Sequence, residues 1–114
     1  MKVIYGANKS AAVSSTIRIK INTSNTLTGA VTIAGMLTST ANALILKRNF
    51  MLNGGNLHGM IFSATNTITD EATVLTNVYN NTPYNTANTL YLFFTVQITN
   101  VLDSVTPNLF NITN

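Results

Sequence analysis

Leu90-Tyr91-Leu92-Phe93-Phe94-Thr95-Val96-Gln97-Ile98-Thr99 decides the fold class. Leu90, Leu92, Phe94, Val96 and Ile98 alternate with Tyr91, Phe93, Thr95, Gln97 and Thr99. A period of two places the two sets on opposite faces of a strand, whereas a helix needs apolar residues three and four apart. The aromatic and β-branched side chains here are those that suit a pleated surface. The same period runs through Thr16-Ile17-Arg18-Ile19-Lys20-Ile21, where three isoleucines oppose Thr, Arg and Lys. Residues 27–37 repeat it less regularly, with Leu27, Val31 and Ile33 on one face and Gly35 as a point of bend or bulge. In residues 43–52, Leu44, Leu46, Arg48, Phe50 and Leu52 oppose Ala43, Ile45, Lys47, Asn49 and Met51. Residues 57–64, 72–79 and 106–113 continue the pattern, and 3–5 form a short opening strand.

Between these runs lie turn residues. Asn53-Gly54-Gly55-Asn56 separates two apolar segments, and an Asn-Gly pair suits a type I′ hairpin, whose central residues both need positive φ. Residues 22–25 and Asp103-Ser104 are further turn clusters, and 80–88, which holds Pro83, is the longest stretch without a period. No segment carries a helical stripe. About eight short strands separated by turns predict an all-β protein, an antiparallel jelly-roll sandwich. Residues 1–15 are expected to be an N-terminal arm or attachment segment, and 16–114 the single sandwich domain.

Composition narrows the function. The chain has 114 residues, of which 8% are charged, against roughly 25% in an ordinary globular protein. Neutral polar residues fill the gap: 19 Thr, 17 Asn and 7 Ser. Hydrophobic residues make up 46%, too many for a disordered chain. There is no Cys, which excludes disulfides and thiolate metal sites. No apolar run reaches the length of a membrane helix, and Gly6-Ala7-Asn8-Lys9 interrupts the N-terminal apolar residues too early for a secretory signal. The net charge is +3, yet Lys2, Lys9, Arg18, Lys20, Lys47 and Arg48 are dispersed and read as solubilising charges on strand faces. Neither nucleic acid nor membrane is an expected partner.

Little chemistry is available. His58 is the only imidazole, and a metal there would have to recruit Asp70, Glu71 or Asp103, the only carboxylate side chains. Asp70 and Glu71 are adjacent, so on a strand they point apart and cannot share acid–base work. Asp103 reads as a turn former. No Ser lies in a Gly-x-Ser-x-Gly setting, and Gly54-Gly55 has neither the Lys nor the helix of a phosphate loop. The expectation is a non-enzymatic protein with no cofactor and no metal.

Several strands are apolar on both faces: 44–46, 50–52, 60–62 and above all 90–94. A small sandwich has one interior, so the second face needs another cover. That cover is a second copy, the 80–88 loop, or a ligand inside a barrel. The first places Tyr91, Phe93, Leu46 and Phe50 at an interface between copies, where aromatic residues are enriched.

The run Thr89-Leu-Tyr-Leu-Phe-Phe-Thr-Val-Gln97, the Asp103-Ser104 turn and the closing Asn108-Leu-Phe-Asn-Ile-Thr113 resemble the end of jelly-roll modules with TNF-like or C1q-like topology found in bacteriophage virion proteins. These are head fibres, decoration proteins and tail spikes. The resemblance extends from Thr16 to the C-terminus, at the level of pattern. It implies a homotrimer whose axis is lined by apolar and aromatic side chains, Tyr91 and Phe93 here. It further implies location in the virion and a partner in the major capsid or another virion protein. A receptor- or glycan-binding module of a tail fibre or spike, with a host-surface glycan as partner, is the alternative, and its binding loops would be 22–25 and 80–88.

Overall fold

The computed structural model describes residues 1–10, 15–38, 42–59, 62–63, 80–85 and 87–113. It is all-β, with no helix among the described residues. The strands are β1 (Lys2–Lys9), β2 (Ser15–Asn22), β3 (Val31–Thr38), β4 (Ala43–Asn49), β5 (Met51–Asn53), β6 (Asn56–Gly59), β7 (Phe62–Ser63), β8 (Asn80–Pro83), β9 (Tyr91–Ile98) and β10 (Val105–Thr113). They form three sheets, ordered β10-β1-β4, β7-β3-β2-β9 and β5-β6-β8. Every pairing is antiparallel except the short parallel one between β3 and β7.

The first two sheets face each other as a sandwich. Val3, Tyr5 and Ala7 of β1 and Leu46 of β4 meet Ile17, Ile19 and Ile21 of β2 and Ile33 and Ala34 of β3 in one core. The period of two sorts these residues: β2 alternates buried and half-buried along its whole length, the isoleucines inward and Arg18 and Lys20 outward. Each isoleucine taken fully out of water stabilises the fold by about 1.5–3 kcal/mol. The all-β architecture and the two facing sheets are those of a β-sandwich, as the alternation predicts.

Residues 2–9, expected within an N-terminal arm, are a strand of the sandwich, and residues 11–14 lie outside the described residues. β1 is the central strand of its sheet, paired with β10 on one side and β4 on the other. Its alternation is hidden in the sequence by Gly6 and Ala7, small residues that do not register as an apolar stripe. The Met1 ammonium donates to the Phe50 carbonyl at 2.8 Å, and the Phe50 amide donates back to the Met1 carbonyl at 2.7 Å, so the ladder reaches the first residue.

The predicted strand over 43–52 is divided at Phe50, where the chain leaves the first sheet and enters the third. The expected hairpin turn follows, but its central pair is Gly54-Gly55, with φ of 57° and 75°. Two positive φ values define type I′, and two glycines adopt them without a Cβ penalty. The bulge in β3 falls at Ile33, opposite the Ile19/Lys20 step, rather than at Gly35. It lets Ile33 and Ala34, neighbours in sequence, both face the core. Residues 80–83, expected in a loop, are strand β8, because β6 presents a free edge that Asn and Thr backbone can pair with. The strand expected over 72–79 lies outside the described residues, as do Met60 and Ile61.

Candidate functional site

His58 is half-buried on β6, opposite Met51 of β5 and Asn81 of β8. Those neighbours are not metal ligands of the usual kind, and no group of three or more His, Asp or Glu that could hold a metal occurs among the described residues. Asp70 and Glu71 lie outside them. No helix of the described residues is long and apolar enough to cross a membrane.

Asp103 forms a turn as expected, its amide donating to the Asn100 carbonyl at 3.1 Å. It has a second role that the sequence did not disclose. Lys9 ends the inward row of β1 and is buried, which pushes its pKa below the usual lysine value, while the charge of Asp103 pulls it back up. Ser10 joins the two segments, donating its amide to the Ser104 carbonyl at 3.0 Å and accepting the Ser104 amide on Oγ at 2.7 Å. The pair is separated by most of the chain, so no local spacing could have signalled it.

Arg48 corrects another expectation. Read as a solubilising charge, it is fully buried. Its guanidinium donates to the Lys47 carbonyl at 2.8 Å and, across the sandwich, to the Gly35 carbonyl of β3 at 3.4 Å. Its place among Leu44, Leu46 and Phe50 in the alternation was the available signal.

Of the four residues expected between copies, two belong elsewhere. Leu46 and Phe50 are 0% and 4% exposed inside the chain's own core, so they cannot meet another copy without unfolding this one. Phe50 closes the core at the bend between sheets, with its ring against Gly59. Tyr91 and Phe93 occupy the outer face of the second sheet, opposite Asn22 and Lys20 of β2, Tyr91 36% exposed.

Apolar side chains reach water on the side formed by β9 and β10, as Leu27, Val31, Ile45, Met51 and Leu52 do elsewhere. β9 ends the second sheet and β10 ends the first, and the two are consecutive in the chain. Tyr5 stacks on Phe94 with centroids 5.0 Å apart, and Phe94 meets Phe110 edge-on at 4.8 Å. This aromatic row leads from the core to water, for Phe110 is 56% exposed. Ile112, opposite Val3, is 40% exposed, and Leu109, on the outer face above Gly6, 44%.

A second feature is a cleft of about 220 Å³ between the β2–β3 turn and the segment after β8. Asn22, Thr23 and Val31 form one wall, and Thr82, Tyr84 and Leu90 the other. The Asn22 side-chain amide holds the turn by donating to the Thr26 and Thr28 carbonyls, and the Tyr84 amide donates to the Gly55 carbonyl at 2.9 Å. The cleft therefore brings together the two segments in which a binding loop was expected.

No family model, curated protein or solved structure matches this chain.

Proposed function

We propose that this chain is a non-enzymatic structural protein that works as a homo-oligomer, in the virion of a bacteriophage as a capsid-decoration or head-fibre component. The observation that carries the assembly half is the β9–β10 side, where Phe110, Ile112 and Leu109 stay 40–56% exposed although they continue the core and the sheet outward. Phe110 and Ile112 share the inward face and Leu109 lies on the outer one, so both faces at this edge present apolar side chains to water, as interaction surfaces do. The virion half is supported by the resemblance of Thr89–Gln97 and Asn108–Thr113 to phage jelly-roll modules. Native mass spectrometry at micromolar concentration is expected to give an oligomer, and cryo-microscopy of virus particles carrying the protein is expected to place copies at a symmetry axis. A lone monomer would overturn the assembly half, and its absence from particles the other.

The cleft favours a second reading, a module that binds a neutral glycan. Tyr84 offers a ring face, Thr23 and Thr82 offer hydroxyls, and the lining holds no charge. A glycan array should then show binding that Tyr84→Ala removes; an array without a hit discards this reading.

A further inference from the structure

We infer that Asn53 is a site of spontaneous modification: its side-chain amide becomes a carboxylate through a succinimide, and the isoaspartyl product releases the cleft wall that carries Tyr84. The chemistry needs neither an oligomer nor a glycan, so it stands apart from both readings above.

Asparagine amides are among the chemically labile groups of proteins. The reaction needs the backbone nitrogen of the next residue as nucleophile, and room for it to reach the side-chain carbon. Of the 17 asparagines, Asn53 alone precedes a glycine. In every other pair the following residue, most often Thr, carries a Cβ that crowds the attack. Asn85 and Asn100 are further restrained, because their side-chain oxygens accept the Ala87 and Leu102 amides.

The hairpin leaves the Asn53–Gly54 pair open. Residues 53–55 are exposed. Gly54 has φ of 57°, and a Cβ built on it would meet nothing within 4 Å. The ladder closes through the outer residues of the turn, Asn53 and Asn56, which leaves the Gly54 amide outside it. The strand conformation of Asn53 is not the one in which Cγ meets the Gly54 nitrogen, so the attack waits on fraying of the hairpin end. That end is weakly held. β5 is three residues long, exposed throughout, and pairs with β6 alone among the described residues. Elements with so few buried contacts open locally.

In the first step the Gly54 nitrogen gives its proton to solvent base and bonds to Asn53 Cγ, and the side-chain nitrogen leaves as ammonia. Water then opens the imide. Cleavage of the bond from nitrogen to Cγ restores a normal chain with an aspartyl residue. Cleavage of the other carbon–nitrogen bond leaves the chain running through Cγ, an isoaspartyl residue with one extra backbone carbon. Either way one water is consumed, one ammonia is released and one negative charge appears.

The consequence lies at the cleft. The Gly55 carbonyl accepts the Tyr84 amide at 2.9 Å, and Asn56 and Leu57 pair with Pro83 and Thr82. The hairpin tip thus sets the place of Thr82 and Tyr84, which form one wall of the cleft. An extra backbone carbon at position 53 lengthens one arm of the hairpin against the other. The turn then loses its type I′ closure, and the Gly55 carbonyl turns away from Tyr84.

Peptide mapping by mass spectrometry of the full chain, aged in mildly alkaline buffer, tests the site. The peptide holding Asn53 should gain the mass of an amide-to-acid change before any other asparagine peptide, and resolve into aspartyl and isoaspartyl forms. Its rate should rise in proportion to hydroxide. Gly54→Ala should lose the reaction, and so should Asn53→Gln, which leaves both turn glycines in place. Hydrogen exchange by NMR tests the consequence. The Tyr84 amide should be protected in the fresh chain and in Asn53→Asp, whose backbone is normal, and unprotected in the isolated isoaspartyl form. A native chain that keeps Asn53 while the urea-unfolded chain loses it would overturn the inference, as would faster change at another asparagine. Equal protection of Tyr84 in the isoaspartyl form would overturn the link to the cleft. Loss of protection in Asn53→Asp as well would assign the effect to charge and overturn the role of the lengthened backbone.

Discussion

β2 and β10 are strands of similar length with isoleucine on the inward face, and they are opposite in the molecule. β2 alternates along all eight residues, and β10 alternates over the last part of its nine. β2 lies between β3 and β9, under the other sheet, and its isoleucines are buried. β10 has a neighbour on one side only and is exposed almost throughout. Side-chain pattern thus fixes which way a residue points, and position in the sheet fixes whether anything waits there to meet it.

The contrast is broken most directly by the same substitution in both strands. Ile19→Ala removes a fully buried side chain from the middle of the core and should cost about 3–4 kcal/mol, near the upper part of the range for such deletions. Ile112→Ala, inward-facing but 40% exposed, should cost under about 1 kcal/mol in the isolated protomer. Urea unfolding at a concentration where association is negligible measures both. Equal losses would mean that β10 is as well covered as β2. In an oligomer that covers this side the Ile112→Ala cost should grow, because the side chain is then taken further out of water.

A smaller effect separates a crowded glycine from an open one. A Cβ on Gly59 would lie 2.6 Å from Phe50 Cδ1 and 3.2 Å from the Asn49 carbonyl oxygen. Gly59→Ala therefore forces the ring or the β4–β5 bend to move, at about 1–3 kcal/mol. At Gly29, with φ of 78° in the β2–β3 turn, a Cβ meets nothing within 4 Å, so only backbone strain of about 1 kcal/mol opposes Gly29→Ala. Thermal unfolding should rank Gly59→Ala as the worse variant. The reverse order would show that Phe50 is not seated as described.

The sequence makes the alternation and the turns legible because both are local. Residues 16–21 and 90–99 were readable as strands to within a residue or two, and so was the hairpin at 53–56. Neighbours were not readable in the same way. Leu46 and Phe50 looked available for an interface since a strand apolar on both faces does not say which face its own chain covers. Residues 80–83 looked like a loop since Asn, Thr and Pro carry turn propensity, and only the edge of β6 makes them a strand. The burial of Arg48 and the approach of Asp103 to Lys9 depend on packing between segments far apart in the chain, which no spacing rule encodes.

The smallest expected effect sits at Tyr5 and Lys9 on the inward row of β1, and it is read by pH. Burial raises the pKa of Tyr5 above its ordinary value and lowers that of Lys9. For Tyr5 the unfolded phenol begins to ionise near pH 10 while the folded one keeps its proton. The unfolded chain then binds fewer protons, so this contribution to stability is complete below pH 10 and is lost as pH rises through the folded pKa. For Lys9 the sign is reversed. Between its folded pKa and the ordinary value of 10.5 the unfolded chain binds more protons, and stability rises with pH. The two slopes oppose each other around pH 10, and each is bounded at about 1.4 kcal/mol per pH unit for one proton. Tyr5→Phe keeps the ring that stacks on Phe94 and removes only the ionisable group. Its stability relative to wild type should be level up to pH 9 and gain progressively above pH 10, followed by denaturant midpoints at half-unit steps. Parallel curves for the two proteins would mean that the Tyr5 hydroxyl reaches water, and that the closed half of the sandwich is less sealed than the contrast with β10 requires.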